Sequence, residues 1–307
     1  MSQPSLRLLD GGMGRELARI GAPFRQPEWS ALALIEAPQY VLQAHQAFIR
    51  AGARIITSNS YAVVPFHIGE QRFAEHGLAL AERAGRLARQ AATQSGEVVS
   101  VAGSLPPALG SYRPDLFDHR QSVAIHRQLI AGLRAYVDVW LAETQSSIAE
   151  VEAVAEALSE DSKPLWLSFT LSDDLGEPPR LRSGEPVAEA VRVAAGLGAA
   201  AVLFNCSQPE VMGAALAEAG KVVKALGLDI ELGVYANAFP AVAEDAKANS
   251  TLLEIRADLG PEPYLQWSRT WVAAGASIVG GCCGIGPEHI EQLHRHLQGA
   301  FSGDVPD

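Results

Sequence analysis

Two of the chain's three cysteines are adjacent, in Gly280-Gly281-Cys282-Cys283-Gly284, and the third stands in Leu203-Phe204-Asn205-Cys206-Ser207. Each cluster follows a short apolar run of strand type. If those runs are strands of one parallel sheet, their C-terminal ends carry three sulfurs to one place. Three thiolates with a fourth position left open describe a catalytic zinc site, because a structural zinc normally takes four protein ligands. Glycines at 280, 281 and 284 let the backbone fold tightly, so that neighbouring thiolates can turn toward one ion. The plainer reading is three buried thiols acting as small hydrophobes. A redox pair between Cys282 and Cys283 is a further alternative, although adjacent cysteines close a strained ring and no Cys-x-x-Cys spacing occurs.

Polar residues also end the other apolar runs. Among them are Asp10, Asn59, Glu143, Thr144, Asn205 and Asn237. Asp10 precedes a glycine turn, where it would either cap a helix beginning near Arg15 or face a ligand. Glu143 closes Trp140-Leu141-Ala142-Glu143, where a carboxylate without a partner would be costly to bury. Two acids beside a metal suit a cationic group such as an α-ammonium. Gly11-Gly12-Met13 offers backbone N–H groups suited to a carboxylate. Together these make a site shaped for an amino acid next to a thiophilic metal. The eight histidines show no ligand spacing, and no Gly-x-Ser-x-Gly nucleophile elbow is present.

Such a site needs strands that end together. Eight apolar runs recur: Leu6–Asp10, Arg54–Ser58, Val98–Gly103, Val137–Glu143, Leu165–Thr170, Ala199–Asn205, Ile230–Ala236 and Ser277–Gly281. Their apolar residues are consecutive rather than alternating, as in parallel strands buried on both faces. Helical segments separate them, at 38–50, 70–94, 120–136, 147–158, 186–197, 209–226, 261–273 and 287–297. Proline stands at or near the first turn of several. The alternation predicts a single-domain (β/α)8 TIM barrel over residues 1–300, with 301–307 a frayed C-terminal tail. A doubly wound open sheet is the alternative, with Gly11-Gly12-Met13-Gly14 a loose match to a phosphate loop.

The 307 residues are 48% hydrophobic, enough for a large core, and carry 24 basic against 35 acidic side chains, a net charge of −11. That balance argues against nucleic acid and anionic membrane as partners. The first residues lack a basic segment followed by an apolar one, and the longest apolar stretch, around 196–204, is too short to span a bilayer. A cytoplasmic protein with reduced thiols is expected.

The chain resembles the homocysteine S-methyltransferase family. The likeness is carried by Leu9-Asp10-Gly11-Gly12-Met13-Gly14-Arg15-Glu16-Leu17, Trp29-Ser30, Thr57-Ser58-Asn59-Ser60-Tyr61, Val101-Ala102-Gly103-Ser104, Ala142-Glu143-Thr144, Asn205-Cys206 and Gly280-Gly281-Cys282-Cys283-Gly284, in family order. The resemblance implies a barrel enzyme that methylates homocysteine to methionine, with Zn2+ held by Cys206, Cys282 and Cys283. It implies that Asp10, Glu143 and the Gly12–Met13 backbone hold the homocysteine amino acid group. Asn59 and Asn237 join the substrate contacts as strand-end residues, and Trp29 and Tyr61 can face a cationic donor. Betaine-using relatives place a tyrosine after the glutamate, where Thr144 stands here. The donor implied is therefore a sulfonium, S-methylmethionine before S-adenosylmethionine. Methylation of another thiol or selenol, such as selenohomocysteine or selenocysteine, is the alternative activity. A zinc-binding or redox protein without methyl transfer is the alternative class. Elemental analysis of the reduced protein should find about one zinc per chain, lost in Cys206→Ser with the fold retained; a fully active zinc-free protein would refute this.

Overall fold

A computed structural model describes residues 6–175, 178–240 and 255–297. Eight strands run in chain order: β1 Arg7–Leu8, β2 Ile55–Thr57, β3 Ser100–Leu105, β4 Val139–Gln145, β5 Leu165–Phe169, β6 Ala201–Asn205, β7 Glu231–Tyr235 and β8 Ile278–Val279. All pairings are parallel, in the order β1-β8-β7-β6-β5-β4-β3-β2. A parallel bridge from Leu9 to Ile55 joins the two ends. There Asp10 N–H donates to the Ile55 carbonyl at 3.0 Å and Arg54 N–H to that of Leu8 at 2.9 Å. The sheet is thus a ring, the (β/α)8 barrel expected, and no open-sheet edge is left for a doubly wound fold. The tail at 301–307 lies outside the described residues, as do 298–300.

The uninterrupted apolar runs follow from burial on both faces. In β4, Val139 and Leu141 join Leu9, Ile55, Leu203 and Ile278 in the cluster that fills the ring. Trp140 and Ala142 point the other way, into the larger core between sheet and helices. β3 begins two residues later than the sequence pattern predicted. Val98 is β-branched but 92% exposed, so propensity extended the expected strand into a solvated turn.

The helices are α1 Met13–Arg19, α2 Ser30–Glu36, α3 Pro38–Arg50, α4 Pro65–Ile68, α5 Glu70–Gln94, α6 His119–Leu133, α7 Ile148–Ala157, α8 Val187–Gly196, α9 Pro209–Leu226, α10 Pro261–Ala273 and α11 Pro287–Leu297. Five of them keep the expected bounds, α3, α5, α9, α10 and α11. α7 starts behind a capping box in which Ser147 and Glu150 satisfy each other's backbone N–H. The short helices α1, α2 and α4 carry too few turns to show a period.

The loop after β1 interlocks with the loop after β8. Gly12 N–H donates to the Ile285 carbonyl at 2.9 Å, and Gly281 N–H to that of Asp10 at 3.0 Å. A Cβ on Gly12 would lie 2.6 Å from the Cys282 carbonyl oxygen and 3.1 Å from the Cys283 Cα, both backbone atoms. Gly12→Ala should therefore push the two loops apart. The expected cost is about 1–3 kcal/mol, the range for overpacking a tight contact, read as a fall in Tm by several degrees. An unchanged Tm would mean that the loops yield freely.

Candidate active site

One cavity opens at the C-terminal mouth of the barrel. It is lined by Cys206, Cys282 and Cys283 together with Asp10, Gly12, Met13, Trp29, Asn59, Glu143 and Asn237. Every site residue expected from the sequence therefore faces one space. The three sulfurs lie within 4.8 Å of one another, the metal-capable cluster found among the described residues. One expectation is corrected. Cys206 and Cys282 are joined as a disulfide, leaving Cys283 as the free thiol, where three reduced thiols were expected. The loops after β6 and β8 converge across β7 until the two Cα atoms stand 5.6 Å apart, well inside disulfide reach. The bond links non-adjacent cysteines, unlike the vicinal Cys282–Cys283 pair weighed from the sequence.

Asn205, just before Cys206, organises three strand ends. Its Oδ1 accepts from Thr144 N–H at 2.9 Å and from Ser168 Oγ at 2.8 Å, while its Nδ2 donates to Thr144 Oγ1 at 2.8 Å. The bonds hold Thr144 at φ 60°, a left-handed conformation unusual for a β-branched residue. Cys206 follows at φ 48°. These two departures from strand geometry turn Glu143 and Cys206 toward the mouth.

Asp10 does not cap α1, whose N-cap is Gly12 without a side-chain bond. Its two carboxylate oxygens accept from Thr57, from N–H at 2.7 Å and from Oγ1 at 3.0 Å. Glu143 accepts from Ser104 Oγ. Both acids are almost fully buried, and burial pushes each carboxyl up to about 7, with the Glu143 charge adding to the rise at Asp10. Other expected contacts are already engaged. Gly12 N–H is committed to Ile285, so a carboxylate approaching α1 meets the N–H of Met13 first. Asn59 Nδ2 donates to the Ser30 carbonyl at 3.1 Å, and Asn237 Oδ1 accepts from Phe239 N–H at 3.1 Å.

The sequence profile of the homocysteine S-methyltransferase family matches residues 7–297. The chain belongs to that family. It is 31% identical to the homocysteine S-methyltransferase of Escherichia coli strain K12, over 95% of this chain and 96% of the relative. It is 28% identical to homocysteine S-methyltransferase 4 of Zea mays, over 97% and 91%. The crystal structure of the metallated form of the homocysteine methyltransferase MmuM from Escherichia coli superposes with a TM-score of 0.74 at 30% identity, covering 95% of this chain and 96% of that one. The protein is accordingly an S-methyltransferase enzyme. Among its described residues no helix is long and apolar enough to cross a membrane.

Sequence reasoning missed several residues that line this methyltransferase cavity. Tyr235, at the end of β7, is buried beside Glu143; its strand-end position was a usable signal. Tyr112 OH donates to the Cys206 carbonyl at 3.3 Å from a loop that carries no such signal. His67 lines the cavity as well; burial lowers its pKa to about 4, so it is neutral. Burial likewise pushes the Cys283 thiol up to about 11, the reverse of a cysteine poised for redox attack.

Because Asp10 and Glu143 bind protons more tightly in the folded chain than in the unfolded one, their ionisation withdraws stability from the ligand-free protein as pH rises from about 4 to about 7, while the buried His45, His67 and His126, each lowered to about 4, act in the opposite sense. Glu143→Gln removes one of the two carboxyls, so its Tm should rise relative to wild type over that window. Equal slopes for variant and wild type would mean that Glu143 ionises without penalty.

Proposed function

We propose that the protein transfers a methyl group from a sulfonium donor to the thiol of homocysteine, with zinc held by the reduced Cys206, Cys282 and Cys283. The observation that carries the reading is three sulfurs within 4.8 Å of one another in a cavity shared with two buried acids. The donor set fits zinc. Thiolates are soft ligands, and a tetrahedral site with Zn–S near 2.3 Å sets neighbouring sulfurs about 3.8 Å apart. Reduction of the Cys206–Cys282 disulfide, by two electrons and two protons, is the condition for that set. Bound there, zinc supplies the Lewis acidity that ionises an acceptor thiol at neutral pH.

The chain's own residues do the rest. Asp10 and Glu143 are costly to ionise alone, so an arriving α-ammonium both satisfies them and is oriented by them. Thr57 and Ser104 fix the carboxylates, and Met13 N–H faces the substrate carboxylate. The acceptor sulfur, stripped of its proton, attacks the donor methyl in line. The S–C bond of the donor breaks with its electron pair staying on the leaving sulfur, and a neutral thioether departs. Positive charge disappears in this step, so no general acid is required. Trp29, Tyr61, Tyr112 and Tyr235 give the cavity aromatic walls that suit a sulfonium by cation–π attraction. Thr144 in place of an aromatic residue after Glu143 weighs against betaine, whose amine is also a poorer leaving group.

Glu143→Ala should weaken homocysteine use by about 2–4 kcal/mol, the cost of truncating one partner of a buried charged pair, or roughly 30- to 1,000-fold in kcat/KM, with zinc content unchanged. A donor panel at saturating homocysteine should rank S-methylmethionine first, then S-adenosylmethionine, then betaine. Highest kcat/KM with betaine would overturn the donor assignment. A selenol turned over faster than homocysteine would overturn the acceptor assignment.

A further inference from the structure

Tyr235 closes β7 and points into the barrel, where it joins Leu9, Ile55, Leu141, Leu203 and Ile278 in the cluster that fills the ring. It also lines the cavity above that cluster, and it is only 4% exposed. Its backbone is held firmly. Tyr235 pairs with Asn205 of β6, and its carbonyl accepts from Cys206 N–H at 3.4 Å. The hydroxyl stands beside Glu143 and Ser168, and the charges of Glu143 and Asp10 both reach it. Among the described residues it makes no hydrogen bond of good geometry. The two other tyrosines lining the cavity are tied down: Tyr61 OH shares a 2.6 Å bond with Ser111 Oγ, and Tyr112 OH donates to the Cys206 carbonyl.

An ammonium carries three N–H donors, and a buried site must find an acceptor for each. Asp10 and Glu143 supply two. Both are already partly engaged, Asp10 by Thr57 and Glu143 by Ser104. A phenol brings one O–H and two lone pairs. With its O–H turned to Glu143 or Ser168, the Tyr235 oxygen keeps a lone pair for a third N–H. Burial first, and then the Glu143 charge, push this phenol well above its usual range, so it serves as a neutral acceptor. A secondary ammonium has only two N–H groups. Its methyl would then crowd an acid or leave the phenol oxygen against carbon, and a buried acceptor without a donor is costly.

We infer that the Tyr235 hydroxyl is the third acceptor for the substrate ammonium, beside Asp10 and Glu143, and that it makes the site selective for primary over N-methylated amino acids; the inference rests on the proposed homocysteine reaction. Calorimetric titration of the reduced, zinc-loaded wild type and Tyr235→Phe tests it, because binding is read without turnover. The ligands are homocysteine, N-methylhomocysteine and 4-sulfanylbutanoate, which lacks the amine.

The wild type should bind N-methylhomocysteine about 10- to 100-fold more weakly than homocysteine, the range for a lost hydrogen bond to a charged group. Tyr235→Phe, which keeps the ring, should bind homocysteine weaker by a similar factor and 4-sulfanylbutanoate within about threefold of the wild type. Its preference for the primary amine should shrink to about threefold or less. A Tyr235→Phe protein that keeps its Tm, its zinc and the wild-type affinity for homocysteine overturns the inference. So does equal weakening of homocysteine and N-methylhomocysteine, which would place the effect on Glu143 alone. Should the variant fail to fold, the wild type still decides: comparable affinity for the two amines removes the selectivity. Absence of homocysteine binding to the wild type would instead overturn the functional reading, and this inference with it.

Discussion

A single buried amide sets the geometry of the mouth. Asn205 spans the ends of β4, β5 and β6: two of its bonds go to Thr144, beside Glu143, and the third ties it to Ser168. Thr144, which it holds in left-handed backbone, is next to Glu143. Cys206 is next to Asn205 itself. A buried amide with its oxygen and nitrogen engaged is rigid, since breaking either bond would leave a polar atom without a partner in apolar surroundings. The acid and the sulfur are therefore positioned by one group and cannot drift independently.

The same environment that fixes these groups also tunes them. Burial holds Asp10 and Glu143 near the boundary between neutral and ionised, and raises the Cys283 thiol well away from it. Each group is thus uncomfortable in its charged form until an opposite charge arrives. In the proposed reaction an ammonium answers the acids and a metal cation the thiols. Such a site discriminates by desolvation: a ligand with the wrong charge leaves the penalty in place.

The polar residues at strand ends were legible in the sequence because each interrupts a run that is otherwise apolar, and burying a polar group requires a reason. Asp10, Glu143 and Asn205 stood out on that ground, and the three cysteines by their adjacency and their place after apolar runs. Arg15, which lines the same cavity, did not, since it ends no apolar run. Tyr112 did not, because a loop has no period. The barrel was legible from the alternation of elements, yet the start of β3 was misplaced because Val98 favours strand wherever it stands. The Cys206–Cys282 bond could not be read, because the distance between two strand ends depends on the path of their loops. The fate of the Gly12 N–H was hidden for the same reason: its acceptor, Ile285, is remote in sequence.

That last contact joins the two ends of the sequence. The loop after β1 and the loop after β8 complete one another, through Gly12 with Ile285 and Gly281 with Asp10. During synthesis the first half of the site therefore waits for the last strand to leave the ribosome. The seven earlier strands can collapse around the apolar interior, but Asp10 and Gly12 have no finished neighbourhood until residues 280–285 arrive. Contacts of such long sequence separation form late, because their loop closure carries the greatest entropic cost. A nascent chain halted before β8 would hold Cys206 alone, without Cys282 and Cys283 to complete the three-sulfur cluster. Assembly order thus keeps the reactive centre unfinished until the barrel that shields it is whole.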